Sequence, residues 1–176
     1  YKVESTPNKC QKGSVVTVPK PKWRLATGEW VYDSSPSHIH PGVAPFLDDV
    51  IAATNSRRRQ VIVEKVRHDR VVGYSTCVTT RPGDKIVFAR RVNRRGISRF
   101  VKNRRSEPTQ FVTVILRRTE RGDYQLKTAY FGEPAPREPW GDRVKPRPHH
   151  FWNRHAFVWG AEPIVPGTER YRAPGH

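Results

Sequence analysis

Residues 84–105 read DKIVFARRVNRRGISRFVKNRR and carry nine basic residues against a single acid, Asp84. Nine like charges this close repel one another in isolation, so their density favours binding of a polyanion such as a nucleic-acid backbone. A solvated charged face that serves only solubility is the alternative. The nine basic residues are Lys85, Arg90, Arg91, Arg94, Arg95, Arg99, Lys102, Arg104 and Arg105.

Apolar residues are interleaved with these charges. Residues 86–89 are typical of an extended strand, whereas Ile97, Phe100 and Val101 have the spacing of one short helical face. Gly96 lies between the two segments and suits a turn. The basic residues are therefore expected on a folded scaffold rather than along a flexible coil.

The whole chain is strongly basic. Its 176 residues carry a formal net charge of +17 with a pI near 10.6, which predicts salt-sensitive attraction to nucleic acid, anionic lipid or an acidic protein. Arginine outnumbers lysine by more than two to one, and its planar guanidinium suits phosphate and base recognition. No apolar run approaches the roughly 20 residues of a membrane-spanning helix, so no membrane partner is expected. The sequence has no methionine, so we expect a C-terminal or processed piece of a longer protein.

The pattern along the chain predicts an α+β fold in three segments. Residues 1–36 are interpreted as an N-terminal arm or linker, 37–160 as a compact domain and 161–176 as a C-terminal tail. At 46–54, FLDDVIAAT, the apolar spacing and two early aspartates predict one N-terminal amphipathic helix. β-branched runs predict a mostly antiparallel sheet of four to six strands with short helices added. The expected strands are 60–66 and 71–79, paired as a hairpin, then 85–89, 111–116 and 124–131, with a closing strand or short helix at 151–159.

The sequence contains no pattern that is typical of a metal or cofactor site. The seven histidines form no HxxxH pair and no Cys/His ladder. The pair Asp48 and Asp49 belongs to the expected helix start rather than to a magnesium site. Cys10 and Cys77 could pair, or could be a stray thiol and a buried strand residue. No metal and no cofactor is therefore expected.

Metal-free RNA cleavage needs only a base, an acid and positive charge, because the substrate supplies its 2′-hydroxyl as the nucleophile. Thr128 and Tyr130 lie two apart in LKTAYFG, so on a strand they face the same side. His155 lies in FWNRHAF among aromatic residues that could stack a base. Arg90 and Arg91 end the preceding basic strand.

Each of these residues also has a structural interpretation. Thr128 and Tyr130 are good strand formers, and His155 could equally be a core-edge histidine with a backbone partner. His40 precedes the expected helix and could cap it or face a cleft. His68 is expected in a hairpin turn without a role.

Four stretches together resemble a widespread group of small bacterial proteins, over roughly residues 45–160. They are VVGYSTCVTT, the basic run with FVTVILRR, YQLKTAYFGEPAPREPWGD and FWNRHAFVWG. The layout is also similar to the metal-independent ribonuclease toxin superfamily, which groups barnase, RelE-type toxins, colicin-type tRNases and contact-dependent inhibition toxins.

This resemblance implies particular roles for residues of the chain. In some of these toxins a Thr-x-Tyr on a late strand joins a His and an Arg in the active site, which Thr128 and Tyr130 match. The toxins take the histidine from early in the domain, nearer His40, whereas the better-matched C-terminal motif contains His155. Such toxins are commonly C-terminal pieces of larger proteins that act in the target-cell cytoplasm and meet an acidic immunity protein.

The expected function is therefore a metal-independent endoribonuclease, a bacterial toxin domain that cleaves tRNA, rRNA or mRNA by 2′-hydroxyl attack. The catalytic candidates are His155, Thr128, Tyr130, Arg91 and His40. The nucleic-acid-binding candidates are Arg90, Arg94, Arg95, Arg99, Lys102, Arg104 and Arg105. Two alternatives remain: a noncatalytic RNA- or DNA-binding module, such as a ribosome-associated protein, and a domain whose basic surface recognises an acidic protein.

Overall fold

The structure, a computed structural model, describes residues 20–92, 94–140 and 148–174, with the backbone alone for 34–37. It is mostly β, with 41% of residues in strands and 12% in helices. The strands are β1 (Trp23–Arg24), β2 (Trp30–Ile39), β3 (Val61–Arg67), β4 (Gly73–Ser75), β5 (Cys77–Thr79), β6 (Ile86–Arg90), β7 (Ile97–Val101), β8 (Glu107–Thr109), β9 (Phe111–Arg118), β10 (Tyr124–Phe131) and β11 (His155–Val158). A 3₁₀ helix spans Pro41–Phe46, and the α-helices are α1 (Leu47–Ala53) and α2 (His149–Trp152).

The largest sheet has five strands in the order β1-β2-β10-β9-β3. Its pairings are antiparallel except for β2 with β10, which run parallel. One face carries the main core, because the inward residues of β9 and β10 are apolar and almost fully buried, and α1 packs over them. We call the opposite face the outer face. Along each strand, successive side chains point alternately to the core face and to the outer face.

A β-bulge interrupts the alternation in β10. Leu126 pairs with Leu116 and Thr128 with Ile115, so Lys127 is the extra residue of the bulge. Leu126 and Ala129 are both fully buried in the core, although they are three residues apart. Lys127 and Thr128 therefore both lie between two core residues, on the outer side of the strand.

A second sheet has four strands in the order β5-β11-β7-β6, and β4 pairs with β8 as a separate two-stranded ribbon. Val87, Ala89 and Phe100 form a small core on the β6–β7 hairpin. The segment after β11 returns to this hairpin, since the backbone of Phe88 exchanges hydrogen bonds with that of Arg170. The segment interpreted as a tail thus contributes pairing to the second sheet.

The α+β expectation, with an N-terminal amphipathic helix and a single mostly antiparallel sheet, is wrong. Two strands precede the helical run at 41–53, and that run begins as 3₁₀, where Pro45 lacks the N–H group that an α-helix would use. Its α-helical part has only seven residues. The strands are distributed over three sheets, and the largest is mixed. The protein is therefore a mostly β fold.

Two local predictions also differ from the structure. Residues 97–101 form strand β7 rather than a helix, because both faces of this strand are covered: Ser98 and Phe100 are buried on one side and Val101 on the other. The expected hairpin of 60–66 with 71–79 does not form, since β3 pairs with β9, β4 with β8 and β5 with β11. Strands at 85–89, 111–116 and 124–131 are confirmed as parts of β6, β9 and β10.

The segment interpreted as an arm contributes β1 and most of β2 to the largest sheet. Trp23, Leu25 and Val31 are buried in its core, and Trp23 donates its indole N–H to Asp48 at 2.7 Å. Residues 1–19, with Cys10, lie outside the described part of the chain. Within that part, no helix is both long and apolar enough to span a membrane.

Candidate active site and nucleic-acid interface

The β6–β7 hairpin, residues 86–101, and the turn after it carry most of the exposed basic residues predicted from the sequence. We call this surface the basic hairpin. Five of the seven nucleic-acid-binding candidates are exposed there: Arg90, Arg94, Arg95, Lys102 and Arg105. Charge held on strands of a sheet can reach a phosphate backbone without ordering a flexible segment first.

Aromatic rings lie beside this charge. The Lys102 ammonium stands 4.6 Å from the centre of the Trp159 ring and 5.8 Å from that of Tyr171. Tyr171 is 75% exposed. An exposed ring such as Tyr171, next to a cation, suits stacking of an unpaired base in a single strand.

Arg91 has a structural position rather than a catalytic one. It is 7% exposed and bonds Glu138 at 2.5 Å, Glu162 at 2.8 Å and the Ser98 hydroxyl at 3.0 Å. Its guanidinium also stacks on the Phe157 ring at 4.6 Å. These partners tie the loop after β10 and the segment after β11 to the hairpin, so Arg91 has little capacity left for a phosphate.

Arg99 and Arg104 are likewise engaged. One guanidinium nitrogen of Arg99 donates to the carbonyls of Trp152 at 2.8 Å and His155 at 2.9 Å. Burial lowers the pKa of Arg99, while the charge of Asp84 opposes the change. Arg104 forms ion pairs with Asp84 and Glu107. Both arginines organise the backbone beneath the basic hairpin.

His155 lines a cleft of about 460 Å³, which we call the His155 cleft. Its ring stacks on Phe151 with centres 3.9 Å apart and planes 4° from parallel. Its Nδ1 lies 2.8 Å from the Phe151 carbonyl, and because a carbonyl only accepts, this bond assigns the proton to Nδ1 and leaves Nε2 as an acceptor. That tautomer suits a general base.

The surroundings of His155 do not suit a phosphate. The lining contains hydroxyl, thiol, amide, carboxylate and apolar groups but no lysine or arginine among the described residues. The lining residues are Ser75, Cys77, Thr79, Glu107, Pro108, Thr109, Gln110, Phe111, Gly132, Glu133, Pro134, Phe151 and His155. The two carboxylates of the lining, Glu133 and Glu107, already pair with Lys65 and Arg104, so these two cations are not free to bind a phosphate. Burial, followed by the charge of Glu138, raises the pKa of Cys77 to about 12, so its sulfur is a neutral thiol at pH 7.

Thr128 and Tyr130 lie on the outer face, as their spacing predicts. Their partners on β9 are Ile115 and Thr113. Tyr130 is half-buried, and burial is the main cause that raises its pKa, against the lowering effect of the Thr113 hydroxyl. Its phenol is therefore protonated at neutral pH, and it forms hydrogen bonds with the Thr113 side chain and the Ala135 backbone.

His38 is brought to the same place by the parallel pairing of β2 with β10. It is the register partner of Thr128, and Ile39 is the partner of Ala129. Because Ile39 and Ala129 face the core, His38 and Thr128 both face outward. Partners on neighbouring strands lie roughly 5 Å apart, and the bulge sets Lys127 beside them. His38, Lys127, Thr128 and Tyr130 thus share one patch of the outer face.

His40 is not part of this patch by its contacts. Its Nδ1 accepts from the Gly42 N–H at 3.2 Å and caps the 3₁₀ helix. Its ring packs edge-on against Phe131, with centres 5.3 Å apart. Phe131 packs against the main core, so the cap is the role that the geometry assigns to His40.

Sequence reasoning missed His38 and Lys127. A signal for the first is the alternation in HIH at 38–40, where an apolar residue stands between two histidines as on a strand. A signal for the second is the spacing of three between the apolar Leu126 and Ala129, which breaks the alternation of two and indicates a bulge. Among the residues that the structure describes, no group of three or more His, Cys, Asp or Glu side chains is arranged to hold a metal ion.

The fold and these residues define a strongly basic, mostly β protein with a histidine-containing patch on the outer face of its largest sheet. Comparison with known protein families, curated proteins and solved structures gave no match. The function of the chain is accordingly inferred from its own residues.

Proposed function

We propose that this chain cleaves RNA without a metal ion, at the outer-face patch formed by His38, Lys127, Thr128 and Tyr130. The observation that carries the proposal is the parallel pairing of β2 with β10, which sets the exposed His38 opposite the partly exposed Thr128 on the outer face. A base, a neutral donor, a hydroxyl and a cation are the groups that 2′-hydroxyl attack requires.

The reaction assigns one task to each group. His38 takes the proton from the 2′-hydroxyl, and the oxygen attacks the adjacent phosphorus. The bond from phosphorus to the 5′-oxygen breaks, and Tyr130, kept protonated by its raised pKa, gives that oxygen a proton. The Lys127 ammonium offsets the negative charge that develops on the phosphorane, and the Thr128 hydroxyl donates to a non-bridging oxygen. The products are a 2′,3′-cyclic phosphate and a free 5′-hydroxyl.

The basic hairpin would hold the RNA, and the outer-face patch would react with it. The five exposed cations of the hairpin contribute salt-dependent, sequence-independent affinity. Binding energy from these remote contacts helps to position the reacting phosphate.

Incubation of the purified chain with total RNA in excess EDTA tests the proposal. We expect fragments that end in 2′,3′-cyclic phosphate, and a loss of about 10²- to 10⁴-fold in rate for His38→Ala. The matched control is His40→Ala, which removes a nearby histidine with a capping role and should retain the wild-type rate per folded molecule. Intact RNA with the wild-type chain would rule out the proposed activity.

Noncatalytic binding of RNA is the second candidate, and the exposed hairpin arginines favour it independently of any histidine. In that case RNA shifts on a gel but stays intact, and His38→Ala leaves the affinity unchanged, whereas Arg94→Ala weakens it.

A further inference from the structure

Strand β3 forms one edge of the five-stranded sheet. It pairs with β9 over seven consecutive residues without a register shift, and no other described strand pairs with it. It contains no proline and no bulge, which are two of the devices that commonly protect an edge. A long, regular, unprotected edge is a template for a further strand.

The hydrogen bonds at both ends of β3 show which residues face this open edge. Arg118 N–H donates to Gln60 at 2.8 Å, and His68 N–H donates to Gln110 at 2.8 Å. In an antiparallel pair such bonded positions alternate, so the even-numbered residues of β3 bond to β9. The odd-numbered residues Val61, Val63, Lys65 and Arg67 therefore direct their N–H and C=O groups away from the sheet.

The side chains leave the first half of this edge uncovered. Val61 is 52% exposed and Val63 is 49% exposed. Two charged side chains could protect the edge, but both bind groups of the sheet and its loops instead. Lys65 pairs with Glu133, and Arg67 donates to Gln110 at 3.0 Å. Exposed valines beside free backbone groups fit an extended peptide with alternating side chains.

Charge identifies the kind of partner. Three exposed arginines, Arg57, Arg58 and Arg59, immediately precede the edge, and the chain as a whole carries +17. A second copy would bring the same positive charge to the contact and be repelled. An acidic segment would be attracted and would pair with the arginines.

We propose that the open edge of β3 accepts an extended segment of an acidic protein, which adds a sixth strand to the sheet. The edge lies two strands away from the pairing of β2 with β10, so this site is separate from the outer-face patch and does not depend on RNA cleavage.

The test uses an acetylated and amidated heptapeptide of alternating glutamate and valine, with binding followed by fluorescence anisotropy. Val63→Pro removes an N–H from the open edge while sparing the ladder with β9, and we expect it to weaken binding at least tenfold. Val63→Thr keeps that N–H and should bind within about twofold of wild type. Val63→Glu, on an exposed position, should also weaken binding by repulsion and serves if the proline variant does not fold.

Two control peptides separate strand addition from general attraction to a basic protein. A lysine–valine peptide and a glutamate–proline peptide, which cannot form a ladder, should each bind at least tenfold more weakly. Amide exchange at Val63 and Lys65 should slow when the glutamate–valine peptide is added. Equal binding by Val63→Pro, equal binding of the glutamate–proline peptide, or a dimer of the chain that Val63→Pro dissociates would each overturn the proposal.

Discussion

At the scale of single residues, the arginines of the basic stretch divide by environment rather than by sequence position. Arg90 is exposed, while its neighbour Arg91 is buried between two glutamates. Strand alternation alone separates them, because consecutive side chains point to opposite faces. The sequence predicted the charge of both residues but could not show that one of them is an internal ion-pair centre, since Glu138 and Glu162 lie 47 and 71 residues away.

Arg91→Ala should lower the free energy of unfolding by about 3 kcal/mol, because it removes a buried guanidinium and leaves the partly buried Glu138 without its ion-pair partner. Urea unfolding followed by tryptophan fluorescence measures the loss. Arg90→Ala is the matched control and should stay within about 0.5 kcal/mol of wild type. Equal stabilities for the two variants would show that Arg91 does not hold the hairpin to the two loops.

Because of Cys77, the free energy of unfolding should fall at alkaline pH. Burial raises its pKa from 9.0 to about 12, so between these values the unfolded chain has released a proton that the folded chain retains. Stability from this group is thus fully present below pH 9 and is lost as the pH rises towards 12, by up to about 4 kcal/mol. Urea unfolding at pH 8 and pH 10.5 should show the fall in wild type and a smaller fall in Cys77→Ala. An identical slope in both proteins would exclude the thiol as the cause.

At the scale of elements, the sequence predicts strands well where the pattern is local. Strand β10 was predicted because aromatic and apolar residues alternate with polar ones at 124–131, and β9 because 111–116 is rich in β-branched residues. Residues 97–101 were misassigned, since the spacing of Ile97, Phe100 and Val101 fits a helix as well as a strand with both faces covered. The parallel pairing of β2 with β10 joins residues about ninety positions apart, and no local pattern encodes it.

Deletion of Lys127 should straighten β10 without reversing its faces. Leu126 and Ala129 would then stand two apart, as regular alternation requires, and Thr128 would still face outward. We expect a folded protein with little ribonuclease activity, because the cation is gone from the patch. Deletion of Gln125 is the control and should unfold the protein. It makes Tyr124 and Leu126 consecutive, so that one of these two core side chains would point to the outer face. Full activity in the Lys127 deletion would exclude this lysine from the reaction.

At the scale of the whole molecule, the basic hairpin and the three arginines before β3 form two exposed clusters of positive charge, while no lysine or arginine lines the His155 cleft among the described residues. Composition predicted a polyanion as partner but not this distribution, which depends on how the sheets are arranged. The two proposals thus place nucleic acid and an acidic protein on different surfaces of one molecule.

The double variant Arg94→Ala/Arg95→Ala should reduce the salt dependence of RNA binding. Each lost phosphate contact on a single strand lowers the slope of log K against log salt by about 0.7, so the slope should fall by about 1.4. Affinity measured between 50 and 300 mM salt gives the slope. Arg70→Ala, an exposed arginine away from the hairpin, should change it little. An unaltered slope in the double variant would place the RNA elsewhere.

In the proposed reaction, RNA reacts on the outer face rather than in the His155 cleft. The most direct measurement is a ¹H–¹⁵N NMR titration of the chain with a short 2′-O-methylated RNA, which binds but cannot be cleaved. We expect the largest chemical-shift changes at His38, Lys127, Thr128 and Tyr130, together with the basic hairpin. Changes confined to His155, Cys77 and their neighbours in the cleft, with the outer face unaltered, would contradict this expectation.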